Sequence, residues 1–334
     1  MNYKIPLLIV LISASLYYFF SPASPLSDTQ LTEHLNGKVV LICGASSGIG
    51  EELAYQLAAH GAKLVLVARS QDKLDKVRTE IIKRGAPDED VITISLDFSD
   101  VSKSKEVVDQ TLEKFGGLDY LVSNHAAIFT GPFLGLPHLQ DPEYIEKIFR
   151  VNLFSHIQLA VHALPHLEKN NGHIYFTSSL AGEIPVYRSS LYCSTKHAMN
   201  GFFYSLQQEL LARESSVSLT IGSLGLILTK EISQLMAFGH PYPAWARGSL
   251  EECSRGVMEA YITRPQTMTY PRIAGMIYRA NWYFDPHFHE GIIQRFKAKG
   301  TEGKGYKEVV EKVSQTADLL KNMEYQLGYG PGDK

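Results

Sequence analysis

Tyr192-Cys193-Ser194-Thr195-Lys196 places a phenol and an ammonium four residues apart, on one face of a helix. A free tyrosine titrates near ~10 and exchanges a proton poorly at neutral pH unless nearby positive charge stabilises the phenolate, a charge Lys196 can supply. Ser179 closes the β-branched run His173 to Thr177 ahead of this helix and adds a hydroxyl. Such a Tyr/Lys pair is common on helices, so its meaning depends on what the fold sets beside it.

A second constellation lies near the start of the body. The run Val39 to Ile42 passes into Cys43-Gly44-Ala45-Ser46-Ser47-Gly48-Ile49-Gly50 and then into a helix from Glu51, so the glycines occupy a strand-to-helix turn. There Gly44, Gly48 and Gly50 permit a tight turn and close approach of a pyrophosphate, whose charge suits the helix N-terminus. Gly44, Ser46, Ser47, Gly48, Ile49 and Gly50 are therefore candidate dinucleotide contacts. The second run ends Val67-Ala68-Arg69-Ser70, where an NAD-binding chain would carry an acid for the ribose hydroxyls. An arginine there suits a 2′-phosphate through its planar fork, with Ser70 as an added donor, so NADP(H) is the expected cofactor. Asp97 and Asn124 follow the third and fourth runs; each either faces the cofactor crevice or caps a turn.

The elements that must hold these groups alternate. Val39 to Ile42, Lys63 to Val67, Val91 to Leu96, Leu118 to Val122, His173 to Thr177 and Val217 to Gly222 read as buried strands. Glu51 to His60, Gln71 to Arg84, Lys103 to Phe115, Glu143 to His166 and Leu191 to Glu214 carry helical periodicity. The pattern predicts an α/β fold, a doubly wound parallel sheet, running to about Ser223. Beyond it lie a Gly, Pro and aromatic stretch at Ala237 to Arg247, an aromatic segment from Gly275 to Phe288, and a peripheral polar tail at 301–334. The aromatic segment suits a greasy substrate wall, a membrane contact, core packing or a dimer contact equally. His287-x-His289 lacks a third ligand at a known spacing, so no metal is expected.

Composition narrows the function classes. With 334 residues, 45% apolar and 20% charged, the chain buries a real core. A formal charge of -3, from 32 basic and 35 acidic side chains with no basic cluster, argues against nucleic-acid binding. Three cysteines without metal spacing suggest neither a disulfide framework nor a zinc site. Ile5 to Phe20 is almost wholly apolar, and no charge follows Lys4 until Asp28, enough to cross a hydrocarbon core that needs about 20 residues. Residues 1–27 therefore read as a membrane anchor with a cytoplasmic N-terminus, and Tyr17 to Phe20 as its aromatic belt. Ser21-Pro22-Ala23 is a poor cleavage site; cleavage there would make the protein secreted. Residues 28–300 form the expected single domain, and no Asn-x-Ser/Thr sequon marks it.

Taken together, Gly44-x3-Gly48-x-Gly50, Asn124, Asn152, Ser179, Tyr192 and Lys196 closely resemble the short-chain dehydrogenase/reductase family over about residues 36 to 235. Within it the chain is most similar to the 11β-hydroxysteroid dehydrogenase type 1 group. That likeness rests on the anchor, Gly116-Gly117-Leu118-Asp119, Asn124-His125, Ser178-Ser179-Leu180-Ala181-Gly182 and Leu224-Gly225-Leu226-Ile227. The resemblance implies a Rossmann-like fold and hydride transfer between NADP(H) and a carbonyl or secondary hydroxyl. Tyr192 would be the proton donor, Ser179 a hydrogen-bond donor to the alkoxide, and Lys196 the holder of the cofactor ribose. Asn152 would position a water linked to Lys196, and Ile227 and Thr229 would touch the carboxamide and phosphates. It also implies a lipophilic substrate, a hydroxysteroid among the choices, a homodimer, and a lumenal catalytic domain at the endoplasmic reticulum membrane.

The sequence departs from the family pattern in places. Cys43 stands for Thr or Ser, Ser47 for a basic residue, and Leu224-Gly225 for Pro-Gly, while Val186 and Tyr187 alter the pocket rim. Retinoid or lipid-ketone reduction by the same chemistry is the rival reading, and a catalytically silent NADP(H)-binding protein is a third.

Overall fold

The computed structural model describes residues 25–127, 141–230 and 246–284. Residues 1–24 of the expected anchor at 1–27, residues 237–245 of the Ala237 to Arg247 stretch, His287, His289 and the tail at 301–334 lie outside the described residues. Among the described residues no helix is long and apolar enough to cross a membrane.

Helix α1 (Asp28–Leu35) leads into strand β1 (Val39–Cys43), α2 (Gly48–Ala59), β2 (Lys63–Ala68), α3 (Gln71–Lys83) and β3 (Val91–Ser95). There follow α4 (Ser104–Phe115), β4 (Tyr120–Ser123), α5 (Pro142–Phe149), a π turn at Arg150–Phe154, α6 (Ser155–Lys169) and β5 (His173–Ser179). The long α7 (Ser190–Ala212) and β6 (Ser218–Leu224) come next, then the short β7 (Leu226–Ile227) and β8 (Arg247–Gly248). The described chain ends with α8 (Leu250–Thr263), β9 (Thr267–Tyr270) and α9 (Arg272–Phe284).

Seven of these strands form one sheet in the order β3-β2-β1-β4-β5-β6-β9, with all its pairings parallel. All five residues of β1 are buried, because helices cover both faces of the sheet. One face packs Leu41, Val65, Leu121 and Phe176 against α4, α6 and α7. The other packs Val40, Ile42, Leu64 and Val122 against α1, α2, α3 and α8. The strand order reverses between β1 and β4, which opens a crevice at their carboxyl ends, the usual ligand position in such sheets.

Two features differ from the sequence expectation. The sheet does not end with the sixth strand: β9 pairs with β6 from Ile221↔Thr267 to Leu224↔Tyr270. Thr267 to Tyr270 is polar and only half-buried or exposed, as suits an edge strand, so it lacks the apolar run that marks the central strands. The predicted helix from Glu143 to His166 runs without a gap, but its hydrogen bonding shifts to a π turn at Arg150–Phe154. Such a turn carries no composition signal, and it often marks a functional site.

Candidate active site

The glycine turn is built on backbone contact. Gly44 and Ala45 both donate to the Val67 carbonyl, at 2.7 and 3.1 Å. Gly44 has φ +88°, and a Cβ there would stand 2.8 Å from the His125 backbone. A Cβ on Gly50 would stand 2.1 Å from the Gly44 carbonyl oxygen. These two glycines thus close the turn on itself and on the end of β4. Ser47 is the N-cap of α2 and makes no side-chain capping bond, which leaves the first amides of the helix facing the crevice with no intrahelical acceptor. Ser46, Ser47, Gly48 and Ile49 are half-buried. Half-buried backbone donors at a positive helix end, at the carboxyl end of β1, fit a dinucleotide phosphate.

Asn124 joins this turn to the catalytic strand. Its amide nitrogen donates to Gly44 O at 3.4 Å, its side-chain oxygen accepts from Thr177 Oγ1 at 2.9 Å, and its backbone N–H donates to Cys43 O at 3.0 Å. Thr177 in turn offers its carbonyl to Lys196 Nζ at 2.8 Å. A hydrogen-bonded path therefore runs from the buried lysine to the glycine turn. Asp97 is exposed and caps its own turn, accepting from Ser99 N at 2.9 Å. Ser70 caps α3 by accepting from Lys73 N at 3.4 Å, while Arg69 lies exposed just past β2.

Ser179, Tyr192 and Lys196 converge at the end of β5 and the first turns of α7. Burial raises the Tyr192 phenol to about 12, against the downward pull of its hydrogen bond with Ser179. Lys196 is 1% exposed, and loss of water lowers its ammonium to about 7. Its Nζ lies 5.8 Å from the Tyr192 ring centroid. The polypeptide alone thus disfavours charge on both partners, and acidifying the phenol requires added positive charge. The Ser179 hydroxyl accepts from Ala181 N at 3.1 Å and donates to Leu224 O at 3.2 Å.

Asn152 lies in the π turn, fully buried. Its oxygen accepts from Ala127 N at 2.6 Å, and its nitrogen donates to Ala127 O at 2.9 Å and Thr195 Oγ1 at 3.2 Å. Its side chain therefore ties the exit of β4 to α7. Ile227 is buried in β7, and Thr229 follows it, donating its N–H to Ile227 O at 2.8 Å. Cys43 is buried beneath the turn, where loss of water pushes its thiol up.

Sequence reasoning missed a stack of rings behind the crevice. Phe98 lies on His125 at 3.6 Å between centroids, and His125 on His156 at 3.9 Å. Ser155 Oγ donates to Val151 O, so His125 Nε2 carries the hydrogen that Ser155 accepts at 2.7 Å. His156 Nε2 donates to His125 O at 3.0 Å, and its Nδ1 accepts from Ser123 Oγ at 2.7 Å. Both imidazoles are neutral. Burial holds them well below their ordinary range, reinforced by the Lys196 charge and, for His156, by His125. His156 sits within a helical pattern that signals packing alone.

A strand-turn-helix glycine turn joined by hydrogen bonds to a Ser, Tyr and Lys cluster restricts the relatives the chain can have, and residues 38–236 match the short chain dehydrogenase family. The chain belongs to the short-chain dehydrogenase/reductase family. As a member it is an oxidoreductase with a nicotinamide cofactor. It is 42% identical over 202 residues to hydroxysteroid 11-beta-dehydrogenase 1-like protein of Gallus gallus, covering 60% of this chain and 68% of that one. The Danio rerio protein of the same name is 37% identical over 268 residues, covering 78% and 88%. The 11-beta-hydroxysteroid dehydrogenase-like 2 protein of Arabidopsis thaliana is 33% identical over 255 residues, covering 75% and 80%. These relatives place the chain close to the 11β-hydroxysteroid dehydrogenase type 1 group. A Caenorhabditis elegans short-chain dehydrogenase/reductase of unknown function, solved with cofactor, shares the fold. Its TM-score is 0.64 at 22% identity, over 72% of this chain and 96% of that one.

Proposed function

We propose that this short-chain dehydrogenase/reductase is an NADP(H)-dependent enzyme that interconverts a carbonyl and a secondary hydroxyl on a lipophilic molecule, a hydroxysteroid being the first candidate. The convergence of Ser179, Tyr192 and Lys196 beside the Gly44 turn carries this reading. When bound, the nicotinamide supplies or accepts the hydride at the substrate carbon. The chain's own groups handle the oxygen. Tyr192 gives its proton to the developing alkoxide. Ser179 turns its hydroxyl hydrogen from Leu224 O to the same oxygen, while Ala181 N–H keeps the Ser179 oxygen in place. A protonated Lys196, together with the positive charge of a bound oxidised nicotinamide, would lower the phenol towards neutrality. In the oxidative direction each proton moves the other way.

Arg69 favours the 2′-phosphate of NADP(H), because the end of β2 presents a guanidinium where NAD-binding chains present an acid. The apolar N-terminal segment supports a single-pass anchor with the catalytic domain in the lumen of the endoplasmic reticulum, and the family resemblance supports a homodimer. The hydroxysteroid-like names of the relatives favour a steroid over a retinoid or lipid ketone.

Purified protein assayed with NADPH against a panel of steroid, retinoid and aliphatic ketones tests the reading, with Tyr192→Phe as the control. The variant is expected to lose turnover by more than about a hundredfold while binding NADPH within about twofold, because the phenol handles the proton and not the dinucleotide. Undiminished turnover in Tyr192→Phe would refute the mechanism.

A further inference from the structure

Beside the end of β6 lies an ion pair that the mechanism above leaves unused. Glu183 lies just after the Leu180–Gly182 turn that follows Ser179, and its carboxylate receives both the Nε and the Nη2 of Arg279 from α9, the latter at 2.8 Å. The same carboxylate accepts the hydroxyl of Ser223 on β6. Arg279 Nη2 also donates to Thr269 Oγ1 on β9 at 3.0 Å. One half-buried pair therefore ties the turn after the catalytic serine, two adjacent strands and α9. Burial raises the Glu183 carboxyl, but the bonds from Arg279 and Ser223 outweigh this and hold it below its usual value. Helix α9 is seated closely: a Cβ on Gly275 would stand 2.4 Å from Thr269 Cγ2 and 3.5 Å from Leu180 Cδ2.

The residue after Ser223 is Leu224, whose carbonyl accepts the Ser179 hydroxyl. The turn before Glu183 supplies Ala181 N–H, which fixes the Ser179 oxygen. On the other side of the turn, Gly182 O accepts from Asn200 Nδ2 of α7 at 3.0 Å. Both groups that set the direction of the Ser179 hydroxyl thus belong to segments the ion pair holds. We infer that Glu183 and Arg279 are positioning residues for Ser179, aligning its hydroxyl with the substrate oxygen by fixing the Leu180–Gly182 turn to the Ser223–Leu224 backbone. The inference rests on the reductase reading above for its effect on rate, but its structural content can be measured without turnover.

The experiment combines a double-mutant cycle with hydrogen exchange on the full chain. Glu183→Gln and Arg279→Met are each expected to lower kcat by between about tenfold and a hundredfold, as a displaced catalytic group does. Affinity for NADPH should stay within about twofold, and Arg279→Lys should fall between the parent and Arg279→Met. Glu183→Gln added to Ser179→Ala should slow the enzyme no further than Ser179→Ala alone, since the pair acts through that hydroxyl. The Ala181 and Ile184 amides should exchange at least tenfold faster in Glu183→Gln, with exchange in β1 and β4 unchanged. Multiplicative rate losses in the double variant would overturn the inference, as would parental protection at Ala181 and Ile184. A parent with no turnover on the ketone panel would sink the reductase reading alone, and the exchange result would still decide the positioning role.

Discussion

Lys196→Met tests the electrostatics of the site most directly, because the burial of the ammonium sets the sign of its effect. The ammonium of Lys196 is lowered to about 7 from 10.5 by burial. Between those values the unfolded chain binds a proton that the folded chain does not, so folding stability rises with pH across this window through this group. At ~1.4 kcal/mol per pKa unit, the shift costs the folded protein roughly 4 kcal/mol near pH 7, and that cost disappears above about pH 10.5. Methionine fills similar volume without a charge, and removes the bond to Thr177 O, which contributes about 1–3 kcal/mol. Without dinucleotide, the variant should thus be more stable than the parent by about 1–3 kcal/mol near pH 7 and less stable by a similar amount near pH 10.5. Urea titrations of both proteins at matched pH values measure the difference, in which other titrating groups cancel. A difference that stays flat from pH 7 to 10.5 would refute the premise that Lys196 is a desolvated ammonium. Turnover should be lost in the variant at every pH, so stability and activity should move in opposite directions near neutrality.

Gly44→Ala should destabilise the protein by more than about 2 kcal/mol and abolish dinucleotide binding, since the new Cβ meets the His125 backbone at φ +88°; thermal melts and NADPH fluorescence titration read both effects. Asn152→Ala strips the partners from the buried N–H and C=O of Ala127, and should cost about 2–4 kcal/mol of unfolding free energy by denaturant titration. Arg69→Glu should move the ratio of kcat/KM for NADPH over NADH down by at least about tenfold, since it removes a phosphate partner and adds repulsion; an unchanged ratio would place the 2′-phosphate contact elsewhere.

Several parts of the molecule follow from local chemistry alone. Continuous apolar runs such as Val39 to Ile42 become strands buried on both faces, and the glycines at the end of β1 mark the turn because only residues without a Cβ fit its backbone. The spacing of Tyr192 and Lys196 sets them on one face of α7 whatever the tertiary contacts. Asp97 and Asn124 are equivalent in the sequence as polar residues after strands; the fold separates them, exposing Asp97 on its own turn and holding a half-buried Asn124 between Gly44 and Thr177. Long-range packing also decided what no local pattern encodes: the half-covered β9, the π turn that turns Asn152 inward, the ring stack on His125, and the bond between Glu183 and Arg279. The physical reason is that strand, helix and turn preferences act over a few residues. The environment that lowers Lys196 and raises Tyr192 exists only once distant segments have closed over them and excluded water.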